Sequence, residues 1–133
     1  MGSIMAEPKV GQCPTLSLMH IMGKSWTIPI MEAFEYPAQE VQFSDLEGQL
    51  PGITAKNLSK SLKELCSAQL IAKTTKAEGK AIYTRYSITK KGLSFQKFIT
   101  EGKKLGICIY GIDPSCAKRK CTQCQTYRLH SSF

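Results

Sequence analysis

Residues 44–92 read SDLEGQLPGITAKNLSKSLKELCSAQLIAKTTKAEGKAIYTRYSITKKG. Ser44-Asp45-Leu46-Glu47 has the form of a capping box, a Ser N-cap with Glu three places on. It predicts a short helix that stops at Pro51-Gly52. Thr54 then caps a second helix, whose leucines fall at Leu58, Leu62 and Leu65. After Gln69-Leu70-Ile71 comes a β-hairpin, Leu70 to Ala77 and Ala81 to Ser87, with Glu78-Gly79-Lys80 at its tip. Thr89 opens a further helix. Helix, Pro-Gly turn, helix and hairpin in that order predict an α+β fold, a winged helix-turn-helix of the kind that reads duplex DNA.

The charge supports a polyanionic partner. Nine basic residues lie in residues 54–92 (Lys56, Lys60, Lys63, Lys73, Lys76, Lys80, Arg85, Lys90 and Lys91), opposed by Glu64 and Glu78 alone. They carry most of the chain's formal +8, and the sequence pI is 9.3. On a helical wheel, Ala55, Leu58, Leu62, Leu65 and Cys66 form one side of the second helix. Lys56, Lys60, Lys63 and Ser67 form the other, flanked by Asn57 and Glu64. An apolar back and a lysine front suit a helix lying in the major groove. Asn57 can read adenine in a bidentate way, and Lys56 and Lys60 can reach guanine or phosphate. A lysine face alone is more often a solvated surface; the capping box before it and the basic hairpin after it tip the reading to DNA. Lys76 and Lys80 at the hairpin tip are candidate phosphate contacts, and Arg85 joins them if it faces the same way. Alternation along the strand leaves open which of Tyr83, Arg85 and Tyr86 points outward.

At 133 residues the chain is long enough for one domain with its own core. Three segments are expected: a loose N-terminal arm over 1–12, a winged-helix and dimerisation domain over 13–112, and a Cys-rich basic tail over 113–133. No apolar run approaches a membrane span, and no secretory signal or myristoylation pattern opens the sequence. Six cysteines without an export signal point to a reducing, cytoplasmic setting. Upstream of the reader, Pro14 to Met22 is expected to be helical, with Leu16, Met19 and Met22 on one face and His20 partly buried. Ser25 is expected to cap a helix from Trp26 to about Phe34, with Pro29 at its fourth position. Val41 to Phe43 is a strand candidate. The last helix, Thr89 to about Ile112, is weakened by Gly92, Gly102 and Gly106. It carries more apolar residues than a small domain buries, among them Leu105, Ile109 and Ile112, so a two-fold partner is the natural cover.

Together, Cys13-Pro14, Gly23-Lys24-Ser25-Trp26, Phe43-Ser44-Asp45-Leu46, Leu50-Pro51-Gly52-Ile53, the Leu58/Leu62/Leu65 series and Tyr86-Ser87-Ile88-Thr89-Lys90-Lys91-Gly92 resemble the HxlR family of winged-helix transcription regulators, within the MarR-like superfamily. The resemblance runs from about residue 13 to residue 105. Ser25 interrupts the family's Gly-Lys-Trp, and Tyr83-Thr84-Arg85 stands where the family usually has Arg-Val-Glu. The resemblance implies a homodimer built by the N- and C-terminal helices, each protomer reading half of a palindromic operator, and no enzymatic apparatus.

The cysteines divide into three groups. Cys13 precedes a helix, where backbone N–H groups favour thiolate, and in HxlR-like regulators a Cys-Pro here is often a sensor of oxidants or electrophiles; an inert, packed cysteine is the equal alternative. Cys66 lies on the leucine side of its helix and reads as core. In the tail, Cys116-x4-Cys121-x2-Cys124 has metal-ligand spacing, with Cys108 upstream as fourth ligand and His130 as the alternative. A zinc ion or iron–sulfur cluster is the first reading, thiol–disulfide chemistry the second and an unliganded tail the third. The HxlR pattern does not supply this tail. The main reading is a sequence-specific, dimeric DNA-binding transcription regulator, responsive to redox state or metal. The alternative is a small metal or iron–sulfur redox protein that docks a protein through its winged helix. The lysine face speaks against it, because docking faces carry apolar anchors. An RNA reader ranks third, and no phosphate loop, nucleophile elbow or zinc-protease helix supports an enzyme.

Overall fold

The computed structural model describes residues 13–35, 40–111 and 120–121. Five helices and one hairpin follow in the order α1 (Pro14–Met22), α2 (Thr27–Glu32), α3 (Phe43–Gln49), α4 (Ala55–Ser67), β1 (Ile71–Glu78), β2 (Ala81–Ile88) and α5 (Lys90–Tyr110). The winged helix-turn-helix expected from residues 44–92 is the architecture observed.

The turn between α3 and α4 rests on two residues. Pro51 presets its own φ, and Gly52 adopts φ +89, which a side chain would strain. Ile53 N–H closes the turn on Leu50 O at 3.1 Å. Thr54 caps α4 as expected: its Oγ1 accepts from the Asn57 N–H at 3.1 Å. Leu58, Leu62 and Leu65 are buried, and α4 ends in a Schellman motif. Gln69 takes φ +64, its N–H bonds Cys66 O, and Leu70 N–H bonds Leu65 O, each at 3.0 Å. That reversal turns the chain into β1 with Leu70 and Ile71 facing the core.

β1 and β2 pair antiparallel from Ile71↔Ile88 to Glu78↔Ala81, with Gly79 at φ +61 opening the two-residue tip. Val41 adds one bridge to the outer side of β2, exchanging two backbone bonds of 2.8 Å with Tyr86. The strand expected at Val41–Phe43 is therefore a single bridge. Gln42, extended at φ −92 and ψ 161, is the N-cap of α3, and Asp45 Oδ2 accepts the Gln42 N–H at 3.0 Å. Ser44 is thus inside the helix and exposed, not its cap. Starting the helix early carries Phe43 onto the core, where it packs.

A second cap also moves. Ser25 does not cap α2, because consecutive turns (Lys24 N–H to Ile21 O, Thr27 N–H to Lys24 O) carry the chain from α1 to Trp26. Pro29 falls at the third helical position, where its missing N–H is one that needs no intrahelical partner. The C-terminal carbonyls of α2 are satisfied from α5: Gln96 Nε2 donates to Met31 O at 2.7 Å and Phe34 O at 2.8 Å. Beside it, the nearly buried Lys103 ammonium pairs with Glu32.

α5 meets the hairpin at one point. Thr89 N–H donates to Leu70 O, the Thr89 hydroxyl lies within hydrogen-bond distance of both Gln69 O and Leu70 O, and Gly92 N–H donates to Thr89 Oγ1. Gly92 is buried there, and a Cβ on it would sit 2.1 Å from Leu70 O and 2.6 Å from Ile88 Cγ1. Gly92 is therefore a packing requirement, whereas Gly102 and Gly106 have open space around them.

The core draws on every element except α1: Ile30, Met31, Leu46, Leu50, Leu62, Ile71, Ile88, Phe95 and Ile99 are among its buried members. Helix α1 touches it only through the half-buried Leu18, Ile21 and Met22. That orientation leaves Leu16 and Met19 exposed, and it leaves His20 exposed as well, not partly buried as expected. The far end of α5 is also apolar and exposed, with Leu105 at 59%, Ile109 at 61% and Tyr110 at 74%. The helix stops at Gly111, which takes φ +67 and donates its N–H to Ile107 O; Ile112, the third residue of the expected stripe, lies outside the described residues.

Two predictions follow from this packing. Helix propensity alone makes Gly→Ala stabilising by up to about 1 kcal/mol. Gly102→Ala should behave that way, while Gly92→Ala should cost about 2–3 kcal/mol because α5 must back away from Leu70. Chemical denaturation of both variants checks the opposite signs. Burial pushes the Cys66 thiol up from its ordinary range against the opposing pull of Lys73, and burial with Cys66 nearby does the same to the Tyr86 phenol. A raised folded pKa lends stability that is complete below the unfolded value, about 9 for a thiol, and is lost as pH climbs through the folded value. Stability should therefore decline in the alkaline range, and Cys66→Ala should flatten part of that decline in melts taken across pH.

Candidate nucleic-acid interface

Helix α4 presents a face of one charge sign. Leu58, Leu62 and Leu65 hold its back against the core, and this turns Lys56, Asn57, Lys60 and Lys63 outward, all exposed. None of the three lysines has an ion-pair partner among the described residues, and the Asn57 side chain has no hydrogen bond there. The Thr54 cap satisfies the Asn57 N–H, so the amide side chain can act outward at the N-terminal end of the helix. The one acid of α4, Glu64, is held by Lys24 at 2.9 Å. Lys24, forty residues away in sequence, thus neutralises the one acid that α4 carries.

The hairpin sorts its cations. Register puts Lys76 opposite Tyr83 and Thr74 opposite Arg85, so Lys76, Tyr83 and Arg85 share the face that points away from the core. Tyr86 lies on the other face and is buried. This resolves the orientation that alternation left open. Lys76 Nζ pairs with Glu40 Oε1 at 2.6 Å. The Arg85 guanidinium donates to the Gln42 side-chain oxygen at 2.7 and 3.1 Å, with that amide turned to satisfy both groups, and sits 5.3 Å from the Tyr83 ring centroid. Lys80, at the tip beside Gly79, is exposed and has no ion-pair partner among the described residues. Glu40, Gln42 and Lys24, none of them expected from the sequence, therefore shape this surface. Their signal was out of reach, since each acts on a residue far away in the chain.

The cysteines are dispersed. Cys13 is the N-cap residue of α1, half-buried, with Pro14 at the first helical position. Cys108 is exposed on α5. Cys121 is half-buried, and its N–H donates to Glu32 Oε1 at 3.0 Å, on the carboxylate that Lys103 also holds. Cys116, Cys124 and His130 lie outside the described residues. Among the described residues, no group of three or more His, Cys, Asp or Glu stands close enough to hold a metal, and no helix is long and apolar enough to cross a membrane.

Comparison with known proteins agrees with this geometry. A search of curated protein sequences found no match. A transcriptional regulator of the MarR family from Porphyromonas gingivalis W83 is 28% identical and superposes with a TM-score of 0.61, over 77% of this chain and 97% of that one. The diamide-treated YodB from B. subtilis is 23% identical with a TM-score of 0.62, over 74% of this chain and 94% of that one. An HxlR family transcriptional factor from Thermoplasma volcanium GSS1 is 24% identical with a TM-score of 0.57, over 73% of this chain and 84% of that one. The family model described as HxlR-like helix-turn-helix matches residues 21–109, which hold α2 through nearly all of α5. With that match over two thirds of its length and with α3, α4 and the wing in a winged helix-turn-helix, the chain belongs to the HxlR-like helix-turn-helix family.

Proposed function

We propose that this protein is a sequence-specific, homodimeric DNA-binding transcription regulator that recognises a palindromic operator. The observation that carries the reading is the outward face of α4: among the described residues its lysines have no ion-pair partner and the Asn57 side chain no hydrogen bond, and its single acid is neutralised from elsewhere. In this reading α4 enters the major groove. Asn57 reads adenine, Lys56 and Lys60 reach guanine or phosphate, and Thr54 and Lys63 meet the backbone. Lys80 contacts phosphate from the wing tip; Lys76 and Arg85 do so only after leaving Glu40 and Gln42. The exposed apolar residues of α1 and α5 support pairing of two protomers through those helices.

Binding to duplex DNA should be salt-sensitive. If a protomer neutralises about five phosphates, log K falls with log[salt] at a slope near −4 to −5, doubled for a dimer. Asn57→Ala should cost about 1–3 kcal/mol on the preferred site and relax base preference, while Lys80→Ala should weaken all sequences alike. Fluorescence anisotropy across a salt series checks both, and a salt-independent association would remove the reading.

Control of that binding is proposed to run through cysteine. Cys13, at the mouth of α1, is the sensor candidate, and the existence of both a reduced and a diamide-treated YodB structure on this fold supports a thiol-responsive reading. The tail spacing supports a zinc or iron–sulfur site at Cys116, Cys121 and Cys124, completed by Cys108 or His130. Elemental analysis of anaerobically purified protein should then find about one metal site per chain, released by chelator with exposure of alkylatable thiols. Metal-free protein with freely reactive tail thiols would reduce the tail to a basic appendage.

A further inference from the structure

Glu40 is an exposed acid held beside the wing. Val41 is fastened to the outer side of β2 by two backbone hydrogen bonds to Tyr86. Residues 40 and 42 flank it, so on an extended segment their side chains leave on the same side. On the wing, Lys76 and Arg85 also share one face. The two sets meet: Glu40 takes Lys76, and Gln42 takes Arg85. The stretch 40–42 therefore covers two of the three cations proposed for the wing and leaves Lys80 at the tip. Gln42 is neutral. Glu40 is an anion with a side chain 36% exposed, on the surface where a phosphate backbone would pass, and the Lys76 side chain is 55% exposed.

We infer that Glu40 suppresses sequence-independent binding to DNA by occupying Lys76. The inference rests on the DNA-binding reading above. An exposed pair of this kind adds little to stability, so its effect should fall on binding. Non-specific affinity is almost wholly phosphate contact, so withholding one lysine weakens it. Contacts made to base edges by α4 are left untouched.

The test compares the full-length protein with Glu40→Gln, Lys76→Gln and the double variant. Anisotropy on a duplex of random sequence is followed over a salt series, with thermal melts as a folding control. Glu40→Gln should melt like the parent. It should bind random duplex on the order of three- to ten-fold more tightly at low salt, with the slope of log K against log[salt] steeper by about 0.9 per protomer, as one added phosphate contact requires. In the Lys76→Gln background, the gain should largely vanish. Equal affinity and slope for parent and Glu40→Gln would overturn the inference while leaving the DNA-binding reading standing. A gain that persists in full without Lys76 would overturn it too, since Glu40 would then act without that lysine. Absence of any DNA binding by parent and variant alike would overturn both the inference and the reading on which it rests.

Discussion

The close approach of α5 to the carbonyl of Leu70 is the constraint on which the rest of the fold depends. At that point the end of α4, the start of the wing and the first turn of α5 share a few atoms. Leu70 contributes its N–H to the Schellman closure of α4 and its carbonyl to Thr89. Thr89 in turn caps α5 through Gly92. Because Gly92 has no side chain, α5 can rest directly on the backbone of Leu70 and the side chain of Ile88. The orientation of α4 relative to the wing is fixed there by backbone bonds, which have little angular tolerance. Side-chain packing alone would leave more play.

On the opposite side of the hairpin, the bridge between Val41 and Tyr86 does comparable work. It carries the chain into α3 and delivers Glu40 and Gln42 to the wing. The electrostatic surface is thus a product of placement. Lys24 cancels Glu64, Glu40 cancels Lys76, and the residual positive face is narrower than the charge count of residues 54–92 suggests. Among the described residues, the cations without an ion-pair partner on this surface are concentrated on α4 and at the wing tip.

The flanking helices serve a different purpose. α2 is locked to α5 by Gln96 and by the Glu32–Lys103 pair, which leaves little room for α2 to move independently. A nearly buried ion pair of this kind is costly to break on one side, because the remaining charge is stranded. The same Glu32 carboxylate receives the Cys121 N–H, so the described part of the tail rests on this joint. α1 and the end of α5, by contrast, keep apolar residues exposed, among them Leu16, Met19, Leu105 and Ile109.

Local chemistry made much of this legible in the sequence. Thr54 and Thr89 as caps, Pro51-Gly52 as the turn, the leucines of α4 and Gly79 at the wing tip all act over a few residues of backbone, and each was found where it was read. The cap of α3 was misread for the complementary reason. Ser44 and Glu47 have the right spacing, but Val41 pairs with Tyr86, ends the extended segment at Gln42 and starts the helix early enough to bury Phe43. Gly92 looked like a weakness of its helix because propensity counts only the helix itself; its value comes from a carbonyl twenty-two residues earlier in the chain. The sequence by itself determined the order of elements, the basic character of the reader and the choice of outward residues on α4, because periodicity and capping are short-range properties. Only the tertiary structure decided which cations remain available to a ligand. Charges pair with whatever the fold brings within about 4 Å, and Lys24 with Glu64, Lys76 with Glu40 and Lys103 with Glu32 are 40, 36 and 71 residues apart.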